Sequence, residues 1–347
     1  MNSPRFLSQA WEQRILHSRN PYTSLWREVS RYAGGNAADR VLNSLGADAR
    51  NIQAFMRSVA LADEYWVSYE DSSNVIDSVP LYYGALSLGN AIVAATMSSS
   101  HMTSRTSGHG LKVVPDFTKR DAVLNCRIAF GGSLDSFGFI NDALGGDPLS
   151  GLDCKFIDLL TLLPELSGRL EHFALSLVTE VTLSPAKRWH DSAAATADSG
   201  SMIAARFRPL DLVKLNLGYV RDKLAISAYL SEVGATVADG QLYWSTKRSP
   251  PTEIDNLTIS ARGARWFLPK MHGKLIPEYC IYLAALHTLS VFARYLPTYW
   301  LKIQEELCDE WVLIRDFIAV AEEKVPRLAI NHFAKASHRF ESSSDDF

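Results

Sequence analysis

NIQAFMRSVALADEYWVSYEDSSNVIDSVPLYYGALSLGNAIVAATMSSSHMTSRTSGHG, residues 51–110, is the stretch whose reading decides the fold. In its first part Ile52, Phe55, Met56, Val59, Trp66 and Tyr69 recur at helical spacing, with Arg57, Asp63, Glu64 and Glu70 mostly off that stripe. Ser78 and Pro80 then open a second helix, LYYGALSLGNAIVAATM, which is apolar on nearly every side. Such a helix must be buried all round, and Gly84, Ala85, Gly89, Ala91 and Ala94 let its neighbours come close. Asn90 is its one awkward polar residue and needs a buried partner. A polar loop ending in His109-Gly110 closes the stretch.

Upstream, Pro21 starts a helix through Leu25, Trp26, Val29 and Tyr32 that stops at Gly34-Gly35. A shorter helix capped by Asn36 or Asp39 follows and ends near Gly46, and Asp48 caps the organising helix. Downstream, GLKVVPDF (110–117) and NCRIAFGG (125–132) read as short strands, and GGSLDSFGFINDALGG (131–146) as a loop with a weak helix. From Leu152 to Leu170 Phe156, Ile157, Leu160 and Leu163 predict a return to helix.

Residues 171–270 differ in character. ALSLVTEVTLSP, SMIAARFRP, GATVADGQLYWSTKR and NLTISARGARWF are strand-like, a helix is expected over 212–230, and DSAAATADSG reads as a mobile surface loop. Pro277 begins a strong helix ending at Pro297, and further helices, punctuated by Pro326, run into the 330s. The expected fold is mainly α. N- and C-terminal helices (1–170 and 271–337) pack as one bundle around an α+β insertion (171–270), and residues 338–347 form a disordered tail.

A net charge of -3 and a pI of 6.3 argue against a general nucleic-acid coat or a membrane-surface binder. No apolar run is long enough to span a bilayer and the N-terminus has no secretory h-region, so a cytoplasmic, non-membrane protein is expected. Cys126, Cys154, Cys280 and Cys308 form no Cys-x-x-Cys pair and read as buried reduced thiols. No Walker loop, dinucleotide fingerprint, His-Glu-x-x-His or Gly-x-Ser-x-Gly is present, so no cofactor or metal is expected.

The Tyr-rich helix, the linker, the Tyr82-Tyr83-Gly84 helix and the His109-Gly110-Leu111 step together resemble the YaaC-like family of bacterial proteins. FIDLLTLLPEL fits that family's middle, and IPEYCIYLAALHTLSVFARYLPTYW, with Arg294-Tyr295 and Trp300, is similar to its closing helix. The Tyr-Tyr helix followed by a His-Gly turn also resembles a helix of HEPN domains. Some of these are metal-independent ribonucleases with an arginine and a histidine a few residues apart, and others only bind. The family resemblance carries no settled activity, so it narrows the fold more than the function.

Metal-independent RNA cleavage needs a histidine as acid/base and an arginine to stabilise the charged phosphorane. Arg105 and His109 have three residues between them, one fewer than the HEPN spacing of four to six. Arg327 and His332 have four, and Arg265 and His272 have six with Pro269 between. Spacings of this kind arise at chance frequency. The loop 98–110, with Arg105, Ser107, His109 and Gly110, reads either as a phosphate cradle or as a solvated loop. In the second reading His109 caps a helix end and Gly110 supplies a positive φ. Arg294, in an apolar helix, calls for a carboxylate such as Asp63 or Glu64, or for a ligand. Lys187, Arg188, Trp189 and His190 with Arg206 and Arg208 make the best basic-aromatic patch. Ser184 and Lys187 have nucleophile spacing without its partner motifs, and a serine cap explains them.

The expected function is a non-catalytic binding component of a bacterial multi-protein or nucleic-acid-responsive system, with phage defence as a setting. The alternative is a metal-independent, HEPN-like ribonuclease or nucleotide-acting enzyme using Arg105 and His109. Other protein subunits are the expected partners and RNA or a nucleotide the expected ligand. The sequence leaves the oligomeric state open.

Overall fold

The computed structural model describes residues 12–17, 21–72, 77–102, 108–170, 179–185, 201–206, 236–238, 241–245, 257–259, 265–267 and 271–341. Its helices are α1 (Pro21–Arg31), α2 (Gly35–Leu45), α3 (Ile52–Glu70), α4 (Ser78–Thr96), α5 (Ser99–Met102), α6 (Ser136–Ala143), α7 (Phe156–Leu160), α8 (Ser167–Leu170), α9 (Glu278–Tyr295), α10 (Pro297–Glu305) and α11 (Asp309–Ala334). The chain divides into two compact units, Gln13–Leu160 with Tyr279–Phe347, and Met1–Glu12 with Thr161–Glu278.

The first of these units is mainly helical. In α3 Phe55, Val59, Ala62 and Trp66 are buried, one apolar stripe turned inward. Trp66 stacks on Trp26 of α1 at 4.6 Å, and Phe55 meets Phe333 of α11 edge-on at 5.0 Å. Tyr282 of α9 stacks on Phe317 of α11 at 5.9 Å. The earliest and latest helices therefore share one apolar interior. Helix α4 is buried along almost its whole length, as an all-round apolar pattern requires, while Asn90 is half-exposed and hence not confined to a buried partner. Asn51 ties the two ends of the organising stretch together, its Nδ2 donating to the carbonyls of Ala94 (3.0 Å) and Met97 (2.7 Å).

A two-stranded sheet pairs β1 (Glu12–His17) with β11 (Ala336–Glu341), so the first residues of the expected disordered tail are strand. A small antiparallel sheet of β2 (Leu111–Val114), β3 (Arg127–Phe130) and β4 (Asp153–Lys155) lies in the same unit as the helices, with Leu111 opposite Phe130 and Ile128 opposite Cys154. The strand at 153–155 corrects the expectation of helix from Leu152 onward. Three residues pair with β3 before Phe156 starts α7, too few to leave an alternating pattern. Helix α2 is capped by Gly34 rather than by Asn36 or Asp39. Pro326 does not end a helix either: α11 runs through it to Ala334. An interior proline costs ~3 kcal/mol, and the burial of Val325, Ala329, Ile330 and Phe333 around it offsets that cost. Cys126, Cys154 and Cys280 are buried free thiols, whereas Cys308 is half-exposed at the start of α11.

In the other unit the described backbone forms a six-stranded antiparallel sheet. Its strands are β5 (Thr179–Pro185), β6 (Ser201–Arg206), β7 (Thr236–Ala238), β8 (Gln241–Ser245), β9 (Leu257–Ile259) and β10 (Arg265–Phe267), in the order β7-β8-β6-β5-β10-β9. The expected helix at 212–230, the loop 191–200 and most of the tail lie outside the described residues. Among the described residues no helix is long and apolar enough to cross a membrane.

Candidate functional site

The His-Gly step is built as a corner against the start of α6. The Gly108 carbonyl accepts from the Ser136 amide (3.2 Å) and hydroxyl (2.9 Å), the His109 carbonyl from the Phe137 amide (3.3 Å), and the Gly110 carbonyl from the Gly131 amide (2.7 Å). Orphan donors of the helix N-terminus are thereby satisfied by the loop's own carbonyls. Asp135 completes the cap, its Oδ1 accepting from the Gly138 amide at 2.7 Å. Gly110 has a φ of +80°, and a Cβ there would stand 1.9 Å from Asp135 Oδ1. The corner thus needs glycine for both its handedness and its space. His109 caps the helix end, as the loop reading expects, and does so with its backbone carbonyl.

The ring of His109 is used elsewhere. Its Nδ1 lies 2.7 Å from the hydroxyl of Tyr82 on α4. Tyr82 is 1% exposed, burial holds its phenol well above the ordinary tyrosine range, and this is its hydrogen bond among the described residues. A buried phenol that keeps its proton donates it to the one acceptor beside it. With the phenol as donor, Nδ1 of His109 is the acceptor, and the neutral tautomer that matches carries its hydrogen on Nε2.

Helix α9 supplies the other side. His287 and Arg294 are two helical turns apart and share a face. His287 packs edge-on to Tyr82 at 5.0 Å and tilted to His109 at 5.4 Å. Burial first, then the electrostatic influence of His109 and Arg294, depresses its pKa to about 3, and a backbone hydrogen bond with Leu111 opposes the shift only weakly. His287 is thus a neutral ring in the wall, with a buried Nδ1 that has no hydrogen-bond partner among the described residues.

Arg294 is not paired with Asp63 or Glu64. Asp63 accepts from Ser30 at 2.6 Å, and among the described residues no carboxylate lies within ion-pair distance of Arg294. Its Nε donates to the Ser290 carbonyl (3.1 Å), one terminal nitrogen to the Tyr83 hydroxyl (2.7 Å) and the other to Ser290 Oγ (3.3 Å). The guanidinium carries five donors. Among the described residues three are used, leaving one N–H on each terminal nitrogen. Its central carbon also lies 5.4 Å from the ring centroid of Tyr83 and 5.0 Å from that of Tyr295. Tyr-Tyr, His-Gly and Arg-Tyr, far apart in sequence, meet in one cluster whose polar groups are two N–H edges of a half-buried cation and the ring of a half-buried histidine.

Of the remaining expected residues, Arg105, Ser107, Arg188, Trp189 and Arg208 lie outside the described residues, and Arg206 is placed by its backbone alone, opposite Glu180 and Gln241 in β6. Arg327 and His332 sit in the core at 2% exposure each, Arg327 at 3.2 Å from Glu323 and His332 at 3.1 Å from Thr96. Those bonds and that burial make them structural. Sequence reasoning missed Tyr82, Tyr83 and His287 as members of the site. The signal for His287 was its polar ring, seven residues before Arg294, in an otherwise apolar helix. Among the described residues no group of three or more His, Cys, Asp or Glu side chains is placed to hold a metal.

Neither the curated proteins nor the solved structures gave a significant match. The family model described as YaaC-like Protein matches residues 5–333, nearly the whole chain and every residue of the cluster. The protein belongs to the YaaC-like family.

Proposed function

We propose that the protein is a non-catalytic binding component of a bacterial multi-protein or nucleic-acid-responsive system, and that the His109–Arg294 cluster receives the phosphate of RNA or of a nucleotide. The observation that carries this reading is the bond from buried Tyr82 to His109 Nδ1. A general base needs an open lone pair facing the substrate. With Tyr82 donating to Nδ1, the hydrogen of the neutral ring stands on Nε2, which makes His109 a donor rather than a base. Moving that proton to Nδ1 would strand the buried Tyr82 O–H, at a cost of ~1–3 kcal/mol. Arg294, with two N–H groups left over and no carboxylate among the described residues, supplies the charge that a phosphate needs.

The HEPN likeness belongs to the same proposal, in the form of those bundles that bind without cutting, and phage defence is the setting it suggests. A HEPN-like ribonuclease using Arg105 and His109 is the second reading, favoured by the half-buried ring of His109 at the family's own motif. Incubating the protein with mixed RNA in EDTA, beside gel-shift binding of the same RNA, separates the two. Binding without cleavage, weakened about tenfold in His109→Ala and in Arg294→Ala, is the expected result. Cleavage that disappears in His109→Ala would establish the enzyme instead.

A further inference from the structure

We infer that the site takes a nucleoside phosphate rather than a bare anion, with the base stacked on Tyr295 and the phosphate on Arg294; this rests on the phosphate-binding reading above. Tyr295 is the last residue of α9 and is 67% exposed, an amount that core packing does not explain. One neighbour of its ring is the Arg294 guanidinium, 5.0 Å from the centroid. The same guanidinium lies 5.4 Å from the centroid of Tyr83, and Tyr83 stacks on Tyr65 at 5.4 Å with 22° between the planes. Tyr65, Tyr83, Arg294 and Tyr295 therefore form a run of neighbouring groups drawn from three helices and ending in an exposed ring.

Geometry lets both roles run together. The Tyr83 hydroxyl takes one edge N–H of the guanidinium, and contact with the Tyr295 ring takes none, so among the described residues one N–H on each terminal nitrogen is left for oxygen atoms in the guanidinium plane. A base added to the outer ring extends the stack, because every base offers a π-face, and an adjacent cation strengthens such stacking. A bare phosphate would use Arg294 and leave Tyr295 without a role. A nucleoside phosphate uses both. The same chemistry arises from a free nucleotide and from a single-stranded RNA, and the choice of probes distinguishes them.

The test is calorimetric titration of the full chain with AMP, ribose 5-phosphate and tetra-adenylate, using wild type, Tyr295→Ala, Tyr295→Trp and Arg294→Ala. AMP should bind at least about fivefold more tightly than ribose 5-phosphate, the lower end of what one stacked base gives. Tyr295→Ala should abolish that preference and leave ribose 5-phosphate within about twofold, whereas Tyr295→Trp should keep it. Tetra-adenylate binding about tenfold or more above AMP identifies a strand as the source; equal binding identifies the free nucleotide. Ribose 5-phosphate binding with no preference for AMP, or a Tyr295→Ala loss equal for both, overturns the stacking inference alone. If Arg294→Ala leaves ribose 5-phosphate binding unchanged, or no probe binds, the phosphate reading fails and takes this inference with it.

Discussion

His287 and His332 are buried rings, at 4% and 2% exposure, and desolvation is the first cause that lowers both from an ordinary 6.5 to about 3. In the unfolded chain each takes up a proton near its ordinary pKa, and in the folded chain neither does until much lower pH. Stability is therefore fully present above about 6.5 and falls as pH drops toward 3, because the unfolded state binds more protons in that window. From pH 7.5 to 5.5 the loss is about 1.4 kcal/mol for each histidine. Glu310 and Glu322, whose carboxyls burial raises, work in the opposite sense at the acid end. Urea unfolding at the two pH values should show the decline, and His287→Gln should remove about half of it. A midpoint that does not move with pH would mean that both rings are hydrated in solution. Sequence alone marked neither the burial of His287 nor the partner of Arg294. A polar side chain in an apolar helix shows that a partner is needed, but whether Tyr83 or a carboxylate provides it depends on angles between helices that no local pattern encodes.

At the scale of an element, α4 shows how much a pattern can carry. Its all-round apolar face foretold burial on every side, and its small residues foretold close neighbours. Which small residue is indispensable was hidden, because it depends on the helix that lies opposite. A Cβ on Gly89 would come within 2.5 Å of Ile140 Cδ1 on α6, whereas one on Gly84 would meet Tyr65 Cβ at an ordinary 3.5 Å. Gly89→Ala should therefore destabilise by about 1–3 kcal/mol through overpacking. Gly84→Ala should be neutral or stabilise by up to ~1 kcal/mol from helix propensity. Ile140→Val removes the offending methyl and should recover much of the Gly89→Ala loss in thermal melts. Equal melting of the two alanine variants would show that α4 and α6 are not packed as closely as this. The elements misjudged from sequence share a physical cause. β4 is too short to alternate, and Pro326 stays helical because tertiary burial outweighs a local penalty.

For the molecule, the question is what joins the C-terminal helices to the strand that carries the His-Gly corner. Glu310, 1% exposed in the first turn of α11, accepts from the amides of Val123 (2.8 Å) and Leu124 (2.9 Å) through Oε1 and from the Tyr299 hydroxyl (3.0 Å) through Oε2. Tyr299 in turn accepts from the Ala122 amide at 3.1 Å. This clamp holds the turn that feeds β3, and β3 pairs with β2 immediately after Gly110. Its carboxylate also sits at the positive end of the helix dipole. Glu310→Ala leaves two buried amides without an acceptor and should cost about 3–5 kcal/mol. Glu310→Gln keeps one carbonyl oxygen for those amides but turns a donor toward Tyr299, so about 1–3 kcal/mol is expected. Hydrogen exchange should report the difference in place, with the Val123 and Leu124 amides exchanging faster in the order wild type, Gln, Ala. If the clamp positions the corner, ligand affinity should fall in the same order although Glu310 is no part of the His109–Arg294 cluster. Accelerated exchange with unchanged affinity would confine Glu310 to stability, and unchanged exchange would remove the clamp altogether.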